Sequence, residues 1–531
     1  MDILKSRSIA PFKSAYITLI LLVLAVAIAA NKEPLEGMHW DVPIYLNQAK
    51  LFAESAYLDN YTHQAAKIAA SVKEHVGDEY FSHAFWHFIR LGHIVILGSI
   101  VVIFGNSLAA IIAATWLYVG LLIGGLGFCF GNVLVLVKDN EYKRCYHLGA
   151  VISVMLFLLS DIYRYLAGNL VSEVLAIFLL AGAVFALLQA IKTDRLSLAV
   201  LSGLLAFLSY AVRMESIWTW LAFILAYLST SGGGSCPRIP WQALLTASLT
   251  AGLAYGTYAI CFYPLTNPVY FLQFVAGLSI SQHHNGVPAY QLLFVVGGML
   301  WLGAGLSFWW IGRSGFVRLG GAWLLLVTLP WLPQILLGGP TQTRMMSSLI
   351  LPLFLLSSAG WGLLLARADK LALTATSTVA LAMALLSQPL VNNAFQHFPG
   401  GWRVQYAHPF LFAPKYERID YPAADVEALS PIIYHPAQTT VLVVPKSEYS
   451  YVYLSLFHFF APNSIHASEQ HYCEDAKAIS NVTVVFCEGY AKSIQNYVKR
   501  ILILRRLGTP MTPNSTVVFT TPGFALDKLD N

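Results

Sequence analysis

Long apolar runs leave this chain very few ways to fold. Runs at about 15–30, 108–130, 146–160, 171–191, 197–212, 216–230, 241–264, 290–311, 319–337, 346–366 and 371–390 approach the length a helix needs to cross a bilayer. Backbone polar groups in hydrocarbon must be satisfied within their own segment, so such runs predict helices. Of the 531 residues, 57% are hydrophobic and 11% charged, far below the charged share of a soluble domain. The sequence therefore predicts a polytopic α-helical membrane protein with about eleven spans. A net charge of +5 gives no reason to expect a nucleic-acid partner.

The run 94–104 is short, lying between Arg90 and His93 on one side and Gly105-Asn106-Ser107 on the other. It reads as an interfacial or re-entrant segment, since counting it as a span would invert everything after it. With eleven spans, one set of loops holds Lys5, Arg7, Lys13, Lys138, Lys143, Arg144, Lys192, Arg195, Arg238, Arg313, Arg318, Arg367 and Lys370. The opposite short loops hold Arg164, Arg213 and Arg344. The positive-inside rule then puts the N-terminus in the cytoplasm, behind an uncleaved first span. The loop 31–107 and the tail from 391 face the periplasm, or the endoplasmic-reticulum lumen in a eukaryote. The membrane itself would be the inner (plasma) membrane, or that of the reticulum.

Arg164, Arg213 and Arg344 break the charge rule on the outer side. Each alone can snorkel to headgroups; together they suit an anionic group such as a lipid phosphate. Asp41 lies on the same side, just after the first span. It opens a stretch with Tyr45, Ala49, Phe52 and Ala56 at helical spacing, with Lys50 and Glu54 expected on the exposed face. Such a helix would lie along the membrane surface. Asp41 reads either as the N-cap of that helix, with Pro43 in its first turn, or as a catalytic base. His83 and His87 share a helical face, a pair that serves a metal, an interfacial belt or a substrate; no third ligand stands at fixed spacing. His283, in the loop at about 265–289, reads as a polar turn or a sugar contact. The sequence names no cofactor and leaves the participation of a divalent metal open.

From about 391 the composition becomes that of a soluble domain. Segments 440–445, 482–487 and 515–520 read as buried strands, and Lys492 to Arg506 has helical periodicity with a basic face. A small C-terminal α/β domain over 391–531 follows, with residues 1–390 forming the membrane domain. Cys473 and Cys487 would bridge only in an oxidising compartment.

Four stretches resemble the GT-C superfamily of integral-membrane glycosyltransferases. The branch is the one that holds protein O-mannosyltransferases, lipid A aminoarabinose transferases and galacturonosyltransferase-like bacterial proteins. Asp41-Val42-Pro43-Ile44-Tyr45 is similar to the family's Asp-Glu-x-x-Tyr, with Val42 in place of the Glu. The stretch Asp161 to Glu173 is similar to an outer loop ending in an acid that opens the next span. Gly203 to Glu215 resembles a small-residue helix ending in an arginine. Arg344 to Pro352 resembles an Arg-Tyr run leading to a helix proline, with Met345 replacing the tyrosine. Ser82-His83-Ala84 stands where relatives carry Pro-Pro-Leu. The resemblance covers about residues 10 to 390 and implies a GT-C type fold with 31–107 as the catalytic outer loop. It implies a polyprenyl-phosphate-linked sugar donor and inverting transfer to a glycolipid, glycan or protein acceptor in a cell-envelope setting. Asp41 would be the base, and Arg164, Glu173, Arg213, Arg344, Tyr45, His83, His87 and His283 would bind substrate or membrane lipid. Two rival readings are a transporter or flippase of a lipid-linked or polar solute, and an inactive transferase-like assembly protein. A transporter would carry inverted repeats and midplane charges, neither of which is evident.

Overall fold

A computed structural model describes residues 41–54, 90–137, 143–158, 170–231, 240–262, 300–308, 314–331, 347–367 and 423–433, six strands, and a few short pieces between them. The helices are α1 (Asp41–Glu54), α2 (Leu91–Phe104), α3 (Leu108–Leu136), α4 (Lys143–Leu158), α5 (Ser172–Thr193) and α6 (Leu196–Val212). They continue with α7 (Ser216–Ser231), α8 (Trp241–Cys261), α9 (Leu300–Phe308), α10 (Gly315–Thr328), α11 (Ile350–Arg367) and α12 (Ala423–Ile433). Among the described residues, Leu108–Leu136, Ser172–Thr193, Trp241–Cys261 and Ser347–Ala366 are long and apolar enough to cross a membrane. Several shorter helices, including α2, α6 and α10, are equally apolar. The chain is a polytopic helical membrane protein. The expected runs at 15–30 and 371–390 lie outside the described residues.

The chain divides into two compact units, one of residues 1–33 and 117–411, the other of residues 34–116 and 412–531. In the first, α4 packs on α11, α9 on α11, α5 on α6, α6 on α8 and α7 on α10. Lipid supplies no hydrophobic drive between helices, so close backbone approach and polar contacts must hold them. Gly303 and Gly360 touch through their backbones, and a Cβ on Gly360 would collide with the Gly303 carbonyl. Between α4 and α11, the Ser153 hydroxyl donates to Ser357 Oγ at 2.8 Å. Between α7 and α10, Trp323 Nε1 donates to the Thr219 carbonyl and Trp218 Nε1 to the Leu326 carbonyl, both at 2.9 Å. The span expected at 319–337 begins earlier, because Ser314 caps α10 by accepting from the Val317 amide at 3.4 Å. After Thr328 it tightens into a 3-10 turn, Leu329–Trp331, around Pro330.

In the second unit, α1 packs on α2. The 94–104 run is the body of α2, a 14-residue helix ended by Gly105 at φ +70. Only glycine takes that conformation without strain. Lys50, expected on the exposed face of α1, is 4% exposed, while Glu54 is exposed as expected. More of α1 is covered than its apolar stripe implies.

The sheet contains β1 (Thr440–Val444), β2 (Ser464–His466), β3 (Thr483–Cys487), β4 (Arg500–Arg506), β5 (Ser515–Thr520) and β6 (Phe524–Leu529) in the order β2-β3-β1-β4-β6-β5. The four strands on the β2 side are parallel, with Leu442 opposite Val485 and Leu502, and β6 and β5 add an antiparallel edge. The expected helix at Lys492 to Arg506 is overturned over its last seven residues, which form β4. Ile501, Leu502 and Leu504 are each 1% exposed, and a short apolar run buried on both faces carries no period to separate strand from helix. Arg500 closes the C-terminal end of α12, donating to the carbonyls of Ile432 and Ile433. From α12, Glu427 Oε1 accepts from the Leu108 amide at 2.8 Å, capping the first turn of α3.

Candidate functional site

Asp41 is the first residue of α1, and Pro43 lies in its first turn, where the missing amide costs nothing. The Asp41 side chain is outside the described residues. One turn on, Tyr45 is fully buried against α2. The Arg90 guanidinium donates from Nη1 to the Tyr45 hydroxyl, and its Cζ lies 5.5 Å from the Tyr45 ring centroid. The His93 ring meets Tyr45 edge-on, with centroids 4.6 Å apart. Arg90 and His93 are 2% and 0% exposed. The sequence treats both only as flanks of an apolar run. Their one signal is a basic pair at the start of a segment otherwise free of charge.

The first unit holds a second group. Glu173 lies in the first turn of α5, where the helix dipole favours a carboxylate. Arg213 follows α6 directly in extended backbone, and Glu215 sits in the turn before α7. The Arg213 fork divides between two acids. Its Nη1 pairs with Glu173 Oε1 and lies 3.5 Å from Ser172 Oγ. Its Nε donates to Glu215 Oε1 at 2.7 Å, and Nη2 joins the same oxygen. Glu173 is fully buried, Arg213 is 3% exposed and Glu215 is 23% exposed. Tyr118 of α3 is also fully buried.

Two residues that the sequence put on the same side, Glu173 and Arg213, are thus brought into contact. Glu215, two residues beyond Arg213, had been given no role. Arg164, Arg344, His83, His87 and His283 lie outside the described residues. Next to Arg164, Tyr163 is buried, packs edge-on to Phe157 and has its phenol pKa raised by that burial. Among the described residues, no three His, Cys, Asp or Glu side chains are grouped so as to hold a metal ion.

No protein-family model matches the chain, and no curated protein matches it. The crystal structure of ArnT from Cupriavidus metallidurans in the apo state is similar, with a TM-score of 0.53 and 12% identity. The likeness covers 97% of this chain and 98% of that one. The two share a fold. At this identity the likeness carries the architecture, and the chemistry is argued from this chain's own residues.

Proposed function

We propose that the chain is a membrane glycosyltransferase of the GT-C type, moving a sugar from a polyprenyl-phosphate donor to an acceptor hydroxyl on the periplasmic or lumenal face. The observation that supports this most is the fold shared with ArnT over nearly the whole length of both chains, beside the four GT-C-like stretches of the sequence. Asp41 takes the proton of the acceptor hydroxyl as its oxygen attacks the anomeric carbon. The bond from that carbon to the phosphate oxygen breaks in the same displacement, and the lipid phosphate leaves with the electron pair. No covalent enzyme intermediate forms, so the sugar inverts.

The leaving phosphate needs cationic partners. Arg344 and Arg164 carry that role. Arg213, whose fork is taken up by Glu173 and Glu215, serves the site by holding Glu173. Glu173 contacts donor or acceptor, while His83, His87 and His283 address sugar or headgroup. Tyr45 seats α1, and with it Asp41, on α2 through Arg90 and His93. The loop 31–107 and the α/β domain of 391–531 face the acceptor side.

The experiment is Asp41→Asn in purified protein, with transfer read from a radiolabelled panel of polyprenyl-phosphate pentoses and hexoses. Loss of a general base is expected to lower turnover by about a hundredfold or more while donor binding persists. Wild-type turnover in the variant would reject this mechanism.

A further inference from the structure

The arrangement around Arg213 is more elaborate than an ion pair needs. One carboxylate is enough to pair one guanidinium; here two approach it, Glu215 along one edge and Glu173 at the remaining nitrogen. The backbone of Arg213 is fixed as well. Its amide donates to the Ser209 carbonyl at 2.8 Å, and the Ser216 hydroxyl donates to its carbonyl at 2.6 Å. Ser216 Oγ also lies 3.0 Å from Ser209 Oγ. The three ionic residues sit at the start of α5, the end of α6 and the turn into α7. These are neighbouring helix ends in one unit.

The geometry assigns the two acids different tasks. Glu215 takes the Nε–Nη2 edge of the guanidinium, which fixes the plane and rotation of the long side chain. The remaining nitrogen, Nη1, then points at Glu173 and Ser172. Glu215 is partly exposed and Glu173 is not, so the outer acid steadies the arginine and the inner acid is what the arginine holds. We propose that Glu215 is a positioning residue, acting through Arg213 to set the orientation of the Glu173 carboxylate at the N-terminal end of α5. This rests on the glycosyltransferase reading, in which Glu173 contacts donor or acceptor. A lysine at 213 would keep the charge but lose the fork, and so could not serve both acids in this way.

The test compares wild type, Glu215→Gln, Glu215→Asp, Arg213→Lys and the double variant Arg213→Lys/Glu215→Gln. Each is measured with the polyprenyl-phosphate sugar that the wild type turns over best, and melting temperatures are read alongside. Glu215→Gln is expected to lower kcat by about tenfold to a hundredfold, the range for a displaced site group, with donor KM within about threefold of wild type. Glu215→Asp recovers part of that loss. In the Arg213→Lys background, Glu215→Gln costs less than about threefold more, because its effect passes through the arginine. Wild-type kcat in Glu215→Gln overturns the proposal, as does an undiminished Glu215→Gln loss in the Arg213→Lys background. A fall in kcat only in step with melting temperature also overturns it, since that is the mark of a fold contact alone. A wild type that transfers from no polyprenyl-phosphate sugar rejects the glycosyltransferase reading, and this proposal with it.

Discussion

Arg213 in one unit and Arg90 in the other are both cations at helix boundaries, both less than 4% exposed, and they are accommodated by different chemistry. Arg213 meets full negative charges, Glu173 and Glu215. Arg90 meets a neutral phenol oxygen and the face of the same ring, with His93 against that ring's edge. The ionic arrangement is directional and brittle, because breaking a buried ion pair from one side is costly. The phenol contact ties one helix to another through a neutral oxygen and an aromatic face, so loss of that oxygen alone costs less. A site that must hold a carboxylate in one orientation suits the first. A junction that must keep α1 on α2 suits the second.

The largest effect should come from removing the shared cation. Arg213→Leu takes from the fully buried Glu173, and from Glu215, the guanidinium that both pair with. The expected loss is about 3–5 kcal/mol, the range for breaking a buried ion pair from one side. Unfolding in detergent micelles measures it. A loss under about 1 kcal/mol would mean the two acids are satisfied elsewhere, and the contrast with Arg90 would fall.

The neutral junction should give way less. Tyr45→Phe keeps the ring that Arg90 and His93 pack against and removes only the oxygen that accepts from Arg90 Nη1. The expected loss is about 1–3 kcal/mol, the cost of a buried donor deprived of its acceptor. A loss as large as that of Arg213→Leu would show that the phenol carries as much as a carboxylate, and would erase the distinction.

The two regions also differ in how much of them the sequence disclosed. Charge placement along the spans puts Glu173 and Arg213 on one side, because Glu173 opens one apolar run and Arg213 closes the next, and the sidedness of runs is a one-dimensional property. The contact of Arg90 with Tyr45 joins residues 45 positions apart across a loop, and nothing local marks it. Glu215 was visible beside Arg213, yet its task depends on which edge of the guanidinium it takes. Period analysis worked for α1 as a helix and failed for Lys50, since a stripe tells which face is most apolar and not how much a neighbouring helix covers. It also failed at β4, where an apolar run flanked by arginines fits a central strand as well as a helix. Strands β1, β3 and β5 were legible as strands from their Val-rich runs, but β5, expected to be buried, is a largely exposed edge strand, with Val517 44% and Val518 43% exposed. β6 was not legible, because its buried Asp527, paired with Arg505 at 2.6 Å, makes a core strand look polar.

Lys50 supplies the smallest and finest test, since it is a buried cation in the same unit as Arg90. Burial lowers its pKa, and Glu54, one turn along α1, opposes that in part. A lysine with a folded pKa below its unfolded value binds fewer protons folded than unfolded. Stability therefore rises with pH as the folded group deprotonates, up to the ordinary lysine value of about 10.4, and its contribution is lost as pH falls through the folded pKa. Lys50→Met removes that dependence and relieves the cost of a buried charge at neutral pH. The variant should melt above wild type at pH 7 by about a few degrees, and the gap should narrow as pH approaches 10. Thermal unfolding across that range in the same detergent gives both curves. A gap that stays constant with pH would mean Lys50 keeps its proton in the fold as readily as in the unfolded chain, held by charge much as Arg213 is.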